Sequence, residues 1–228
     1  MPDTLKLLPA TSDYIFKRVF GTEQNIDILK SFLEAVLVPP HNLDNIRIKN
    51  PHILPEEMEN KEVIFDVKVS NGERGAENSE AMDIEIQALS MPDMLNRIVY
   101  YLGRIISSYL SKGDEYWEVG KSVVIMVMDF NLVKDAHYYH RFRLHDPDTG
   151  IELTDMVQVY TLELPKLPAA DDGTQRWAWL RLIGAKNPED LAMVENRTPQ
   201  LSKASSTLKD LAVERDAREF EEAREKYR

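Results

Sequence analysis

The stretch from Ala81 to Met128 constrains the fold more than any other part of the chain. It begins with a strand pattern, Ala81-Met82-Asp83-Ile84-Glu85-Ile86-Gln87, in which apolar and polar residues alternate. An amphipathic helix follows from about Met91 to Ser111, opened by Pro92 and closed by Gly113. Leu95, Ile98, Val99, Leu102, Ile105, Ile106, Tyr109 and Leu110 recur at helical spacing and define its expected apolar face. Arg97, Tyr101, Arg104 and Ser108 fall on the opposite side. Ser122 to Met128 then runs almost without a polar residue, as a strand buried on both faces does. Strand, long helix and buried strand in this order predict a βαβ-type crossover.

Upstream, Glu62-Val63-Ile64-Phe65-Asp66-Val67-Lys68-Val69 reads as a second strand, joined to the first by a polar loop containing Asn71-Gly72. Strand alternation turns Asp83, Glu85 and Gln87 one way, and sets Asp66 and Lys68 on a common face of their own strand. Two helices precede this pair. The first follows Thr11-Ser12-Asp13, an N-cap signature, and stops at Gly21; the second spans about Gln24 to Val38. A short extended piece lies around Ile46–Ile48. Further strands are expected at Tyr138–Leu144 and Met156–Leu164, and helices at Gln175–Ile183, Pro188–Glu195 and from about Ser202 onward. The expected architecture is α/β, a mixed central sheet flanked by helices. Residues 1–185 form the main expected domain, with 186–228 a charged helical C-terminal extension.

Composition narrows the chemistry. With 228 residues and 43% apolar content the chain can bury a sizeable core. It has no cysteine, which removes thiolate nucleophiles, disulfides and Cys-based zinc sites. No apolar run approaches the ~18 residues of a membrane helix, and Met1–Lys6 carries no signal-peptide pattern, so a cytoplasmic protein is expected. The net charge of −11 excludes nucleic-acid binding by bulk charge alone, but not a local basic groove or a metal that screens phosphates. No phosphate-binding glycine loop is present. His137 and His145 share strand parity but lie eight residues apart, and His140 does not share it, so no histidine metal site is expected.

The polar residues of the two central strands are the candidate chemistry. Carboxylates from neighbouring strands suit a hard cation such as Mg2+, which keeps several waters and polarises a phosphoryl oxygen. Alternation alone would produce the same residues on a solvated strand face, and the pattern leaves both readings open. The Arg97, Tyr101 and Arg104 row suits phosphate contact or an ordinary solvated helix face.

An Asp in one strand followed by Glu85-Ile86-Gln87 in the next resembles the PD-(D/E)XK phosphodiesterase signature of restriction-endonuclease-like nucleases. The wider chain is similar to the recombination-promoting nuclease (Rpn) family, the PD-(D/E)XK nuclease family transposases. Residues 8–21, Lys61 with Asp66-Val67, Ile84–Gln87, Arg97–Tyr101, Gly113–Tyr116, Leu162–Lys166 and Trp177–Leu180 carry the likeness, which covers most of 7–185. The resemblance implies a restriction-endonuclease-like core and a DNA endonuclease dependent on Mg2+ or Mn2+, linked to recombination, transposition or mobile-element defence. It implies Asp66 and Glu85 as metal ligands, with Asp83 a further carboxylate. Gln87 stands where the broader superfamily has a lysine, so it can orient water or phosphate but not neutralise charge. Lys68 or Lys61 would supply that charge. Asp13 either joins the site or only caps its helix. DNA is the implied partner, in a homodimer if both strands are cut. The rival reading is a catalytically inactive binding or assembly module of the same fold.

Overall fold

The computed structural model describes residues 5–38, 41, 43–49, 67–72, 80–88, 90–109, 115–116 and 119–226. Its elements are α1 (Asp13–Phe20), α2 (Ile26–Val36), β1 (Ile46–Ile48), β2 (Val67–Asn71), β3 (Glu80–Gln87) and α3 (Met94–Tyr109). They continue with β4 (Lys121–Met128), β5 (Tyr139–His145), β6 (Glu152–Glu163), α4 (Gln175–Ile183), α5 (Pro188–Ala192), α6 (Pro199–Val213) and α7 (Arg215–Lys226). They fall into two compact units, one holding the six strands and α3, the other the remaining helices. The α/β class with a mixed sheet, expected from sequence, is what the chain adopts.

In the sheet unit the strand order is β1-β2-β3-β4-β6-β5. β1, β2 and β3 pair antiparallel, β3–β4 and β4–β6 pair parallel, and β5 returns antiparallel on β6. Gly72 ends β2 with a positive φ of 78°, a conformation that costs glycine little. The parallel β3–α3–β4 unit is the crossover expected from the apolar run. One sheet face has an apolar centre, where Ile84, Val123, Ile125, Val127 and Leu162 are all fully buried, with Gln158 and Tyr160 beside them.

The other face carries Asp83, Glu85 and Gln87 in register with Val124, Met126 and Met128 of β4. α3 packs on this face through Met94, Ile98, Tyr101 and Ile105. The expected apolar stripe of α3 is therefore corrected. Leu95 (65%) and Val99 (68%) are exposed, while Tyr101, placed by sequence on the polar side, is 5% exposed. The reason is chemical: a tyrosine ring packs like an apolar group while its hydroxyl reaches a polar partner, here the Arg97 guanidinium at 2.7 Å.

The helical unit is capped as its sequence signals suggest. Thr174, Asn187 and Thr198 accept from Trp177, Asp190 and Leu201 backbone N–H groups, and Pro188 and Pro199 open their helices. Ser12 is the N-cap residue of α1, and its hydroxyl hydrogen-bonds the buried Glu221 carboxylate. Phe16, Phe20, Phe32 and Trp179 form a chain of ring contacts from 4.6 to 6.2 Å at the core. Arg18 grips Glu214 through both nitrogens, at 3.1 and 2.8 Å, and Tyr14 stacks on Phe220 at 4.4 Å. The acidic, lysine- and arginine-rich C-terminal segment is thereby tied to α1. No helix among the described residues is long and apolar enough to cross a membrane.

Candidate active site

β2 and β3 bring the sequence-selected groups together. Their antiparallel register sets Lys68 directly opposite Asp83 and Val67 opposite Ile84. Directly opposed residues point to the same side of a sheet, so Lys68 and Asp83 are near neighbours on the face that also bears Glu85 and Gln87. Asp83 (3%) and Glu85 (6%) are buried, and Gln87 and Lys68 are half-buried. This is not the solvated strand face that alternation alone would allow. Buried carboxylates call for a partner close by, and Lys68 lies directly opposite Asp83.

A cavity of about 370 Å³ opens beside them, lined by Lys49, Lys68, Glu80, Asp83, Arg104 and Ser108 among others. α3 thus contributes Arg104 and Ser108, one and two turns beyond Tyr101, to the cavity wall. Arg104 lies over the Tyr100 ring at 5.8 Å, and Arg97 over the Tyr101 ring at 5.7 Å. Arg97 is half-buried and pinned by the Tyr101 hydroxyl; Arg104 is exposed. The cavity therefore sets three cationic side chains beside acids, an arrangement suited to an anionic substrate held with a cation.

Sequence reasoning missed the flank of this cavity. Glu80, read as loop, is the first residue of β3, and its carboxylate takes a 2.7 Å hydrogen bond with the Nδ1 of the buried His41. Lys121 lies 3.9 Å from Glu80 and 2.9 Å from Asp155, whose pKa its hydrogen bond holds below the usual value. Residues 41, 80, 121 and 155 are too far apart in sequence for any spacing rule to join them. Asp13 is the first residue of α1 in the helical unit, with Ser12 at the cap position. Asp66 and Lys61 lie outside the described residues.

The donor set of Asp83 and Glu85 is oxygen only, which fits a hard divalent cation such as Mg2+ and not a soft one. Among the described residues, three metal-ligating side chains converge at one place only, Asp135, His137 and His140. A buried carboxylate pair on the central strands of a mixed sheet, beside a cavity lined by Lys49, Lys68 and Arg104 as well as Glu80 and Asp83, defines a class: α/β proteins with a charged pocket on the central sheet. The family model for the PD-(D/E)XK nuclease family transposases matches residues 10–228, and the chain belongs to that family. No curated protein and no solved structure matches it. The nuclease family and α/β fold class expected from the resemblance are thus established.

Proposed function

We propose that the chain is a divalent-metal-dependent DNA endonuclease, acting in the cytoplasm in the DNA transactions of transposition, recombination or mobile-element defence. The observation that carries this reading is the buried Asp83–Glu85 pair facing Lys68 beside a cavity walled by Arg104. Asp66 immediately precedes Val67 in the chain, and Glu85 immediately follows Ile84, the residue paired with Val67. Asp66 and Glu85 are the proposed holders of Mg2+ or Mn2+, with Asp83 as a third carboxylate. When bound, such an ion polarises the phosphoryl oxygen and lowers the pKa of a coordinated water.

The chain's own residues do the rest. Gln87 orients the attacking water or a phosphate oxygen through its amide, which donates and accepts but carries no charge. Lys68 supplies the positive charge that glutamine lacks, steadying the pentacovalent phosphorane as the water oxygen bonds to phosphorus and the bridging P–O bond breaks. Arg104 and Arg97 fix the flanking phosphates, and the buried Tyr101 acts as the anchor that aims Arg97. Lys61 is a second proposed source of positive charge.

The test is conversion of supercoiled plasmid to nicked and linear forms by the purified chain with Mg2+. Cleavage is expected to fall by at least about a hundredfold in Glu85→Ala, in line with the loss of a transition-state charge stabiliser. Undiminished cleavage in both Asp66→Ala and Glu85→Ala would sink the assignment. A chain that binds Mg2+ and DNA yet cuts neither strand would instead be a binding module of the same fold.

A further inference from the structure

The loop before β5 gathers a second set of ligands that the proposed nuclease chemistry does not use. Asp135 Oδ2 lies 3.1 Å from His137 Nδ1 and 2.8 Å from His140 Nε2. One carboxylate oxygen thus faces two imidazole nitrogens, and the three ligand atoms all fall within 4.8 Å of one another. Around a tetrahedral zinc with ligand bonds of about 2.0–2.2 Å, neighbouring ligand atoms stand roughly 3.3–3.5 Å apart. The two oxygen–nitrogen spacings need open by roughly 0.2–0.7 Å to admit such an ion. Two imidazoles and one carboxylate are also the borderline donors that zinc prefers, whereas Mg2+ takes oxygens.

A second observation, independent of the cluster, concerns the far side of His140. Its Nδ1 is buried and makes no hydrogen bond among the described residues, and it points at Glu163 Oε1 4.0 Å away. Glu163 is fully buried and rigidly held: it accepts from the backbone N–H groups of Leu132 at 2.7 Å and Val133 at 3.3 Å, and pairs with Lys166 at 2.8 Å. With Nε2 bearing the proton, the Nδ1 lone pair would face that carboxylate, an unfavourable arrangement. A metal on Nε2 forces the proton onto Nδ1, where it points at Glu163. A ligating histidine whose other nitrogen faces a fixed carboxylate is the usual support of a zinc site. Lys166 approaches the Oδ1 of Asp135 at 3.6 Å and leaves Oδ2 to the cluster.

We propose that Asp135 Oδ2, His137 Nδ1 and His140 Nε2 form a zinc site, with the fourth position open to water and Glu163 backing His140. It is distinct from the carboxylate site on β3. His140 lies in a row with Thr161, Met126 and Glu85, so three strand spacings, ~14 Å, separate it from Glu85. Its effect on the protein is to clamp the loop after β4 onto the start of β5.

The experiment is calorimetric titration of zinc chloride into the untagged, chelator-stripped full chain, with thermal unfolding followed in parallel. One zinc per chain is expected, with a rise in melting temperature that saturates with the metal. His140→Ala and Asp135→Ala should abolish both. His137→Ala, at an 80% exposed side chain that the fold does not need, should weaken binding at least about tenfold. Glu85→Gln should leave zinc binding unchanged, which separates this site from the nuclease site. Cobalt(II) in place of zinc should give the intense visible absorption of a four-coordinate ion. Absence of saturable zinc uptake, uptake unaltered in His137→Ala, or the weak spectrum of six-coordinate cobalt would each overturn the proposal.

Discussion

Replacing Glu85 by glutamine separates a metal-holding carboxylate from one retained for the fold. Asp83 and Glu85 lie two residues apart on one face of β3, so their side chains leave the strand ~7 Å from each other. At an effective dielectric constant of about 20, two negative charges at that separation repel by ~2.4 kcal/mol. Lys68, opposite Asp83, offsets part of this. Glutamine keeps the size of glutamate and removes the charge. In chelator, Glu85→Gln should therefore be as stable as the native chain or more stable, by up to ~2 kcal/mol. For a chain of this length that corresponds to a melting temperature higher by at most roughly 4–8 °C. Magnesium at ten times its dissociation constant should stabilise the native chain by ~1.4 kcal/mol through mass action, and the variant not at all. Urea denaturation of both proteins, with and without Mg2+, reads both quantities. A variant that loses more than about 3 kcal/mol in chelator while keeping the full magnesium response would refute the reasoning. Glu85 would then be a structural hydrogen-bonding group.

Three further outcomes follow from the same geometry. Tyr101→Phe keeps the buried ring but removes the 2.7 Å bond to Arg97, so stability should fall by about 1 kcal/mol and DNA affinity should fall with it; unchanged DNA affinity would show that Arg97 is not aimed by Tyr101. Arg104→Ala should weaken binding to all DNA sequences alike and lower the salt slope of affinity by about one, as read by fluorescence anisotropy at several salt concentrations. Lys121→Met should raise the Asp155 pKa toward its ordinary value, because the Lys121 hydrogen bond is what depresses it. The pair's contribution to stability is then present above the unfolded-state Asp pKa and disappears as pH falls through the folded-state one, which carboxyl NMR titration and acid unfolding would follow.

Much of this molecule is legible in its sequence because strong periodicities agree with the topology. The alternation in residues 81–87, the helix after it and the apolar run ending at Met128 together specify a parallel crossover, and the chain forms it. The rotation of α3 was less legible. Its sequence offers two apolar stripes, and the one chosen uses Tyr101, a residue that counts as polar until it is found buried in one cluster with Val124 and Met126. The candidate site divides in the same way. Spacing alone puts Asp83, Glu85 and Gln87 on one face, but their burial follows from α3 and β4, which no strand pattern reports. Glu80 and His41 meet through a side-chain hydrogen bond across 39 residues, a distance at which local spacing carries no information. Strand parity does not report the convergence of His137 and His140 on Asp135. Asp135 and His137 precede Tyr139, where β5 begins, so the loop folds back on His140 and strand alternation does not apply to it.

The measurement that bears most directly on the central claim is a calorimetric titration of Mg2+ into the native chain, Asp66→Ala and Glu85→Ala. One saturable site in the native chain, lost in both variants, is the expected result. A native chain without saturable binding, or equal binding in all three proteins, would contradict a metal-dependent nuclease centre on β2 and β3.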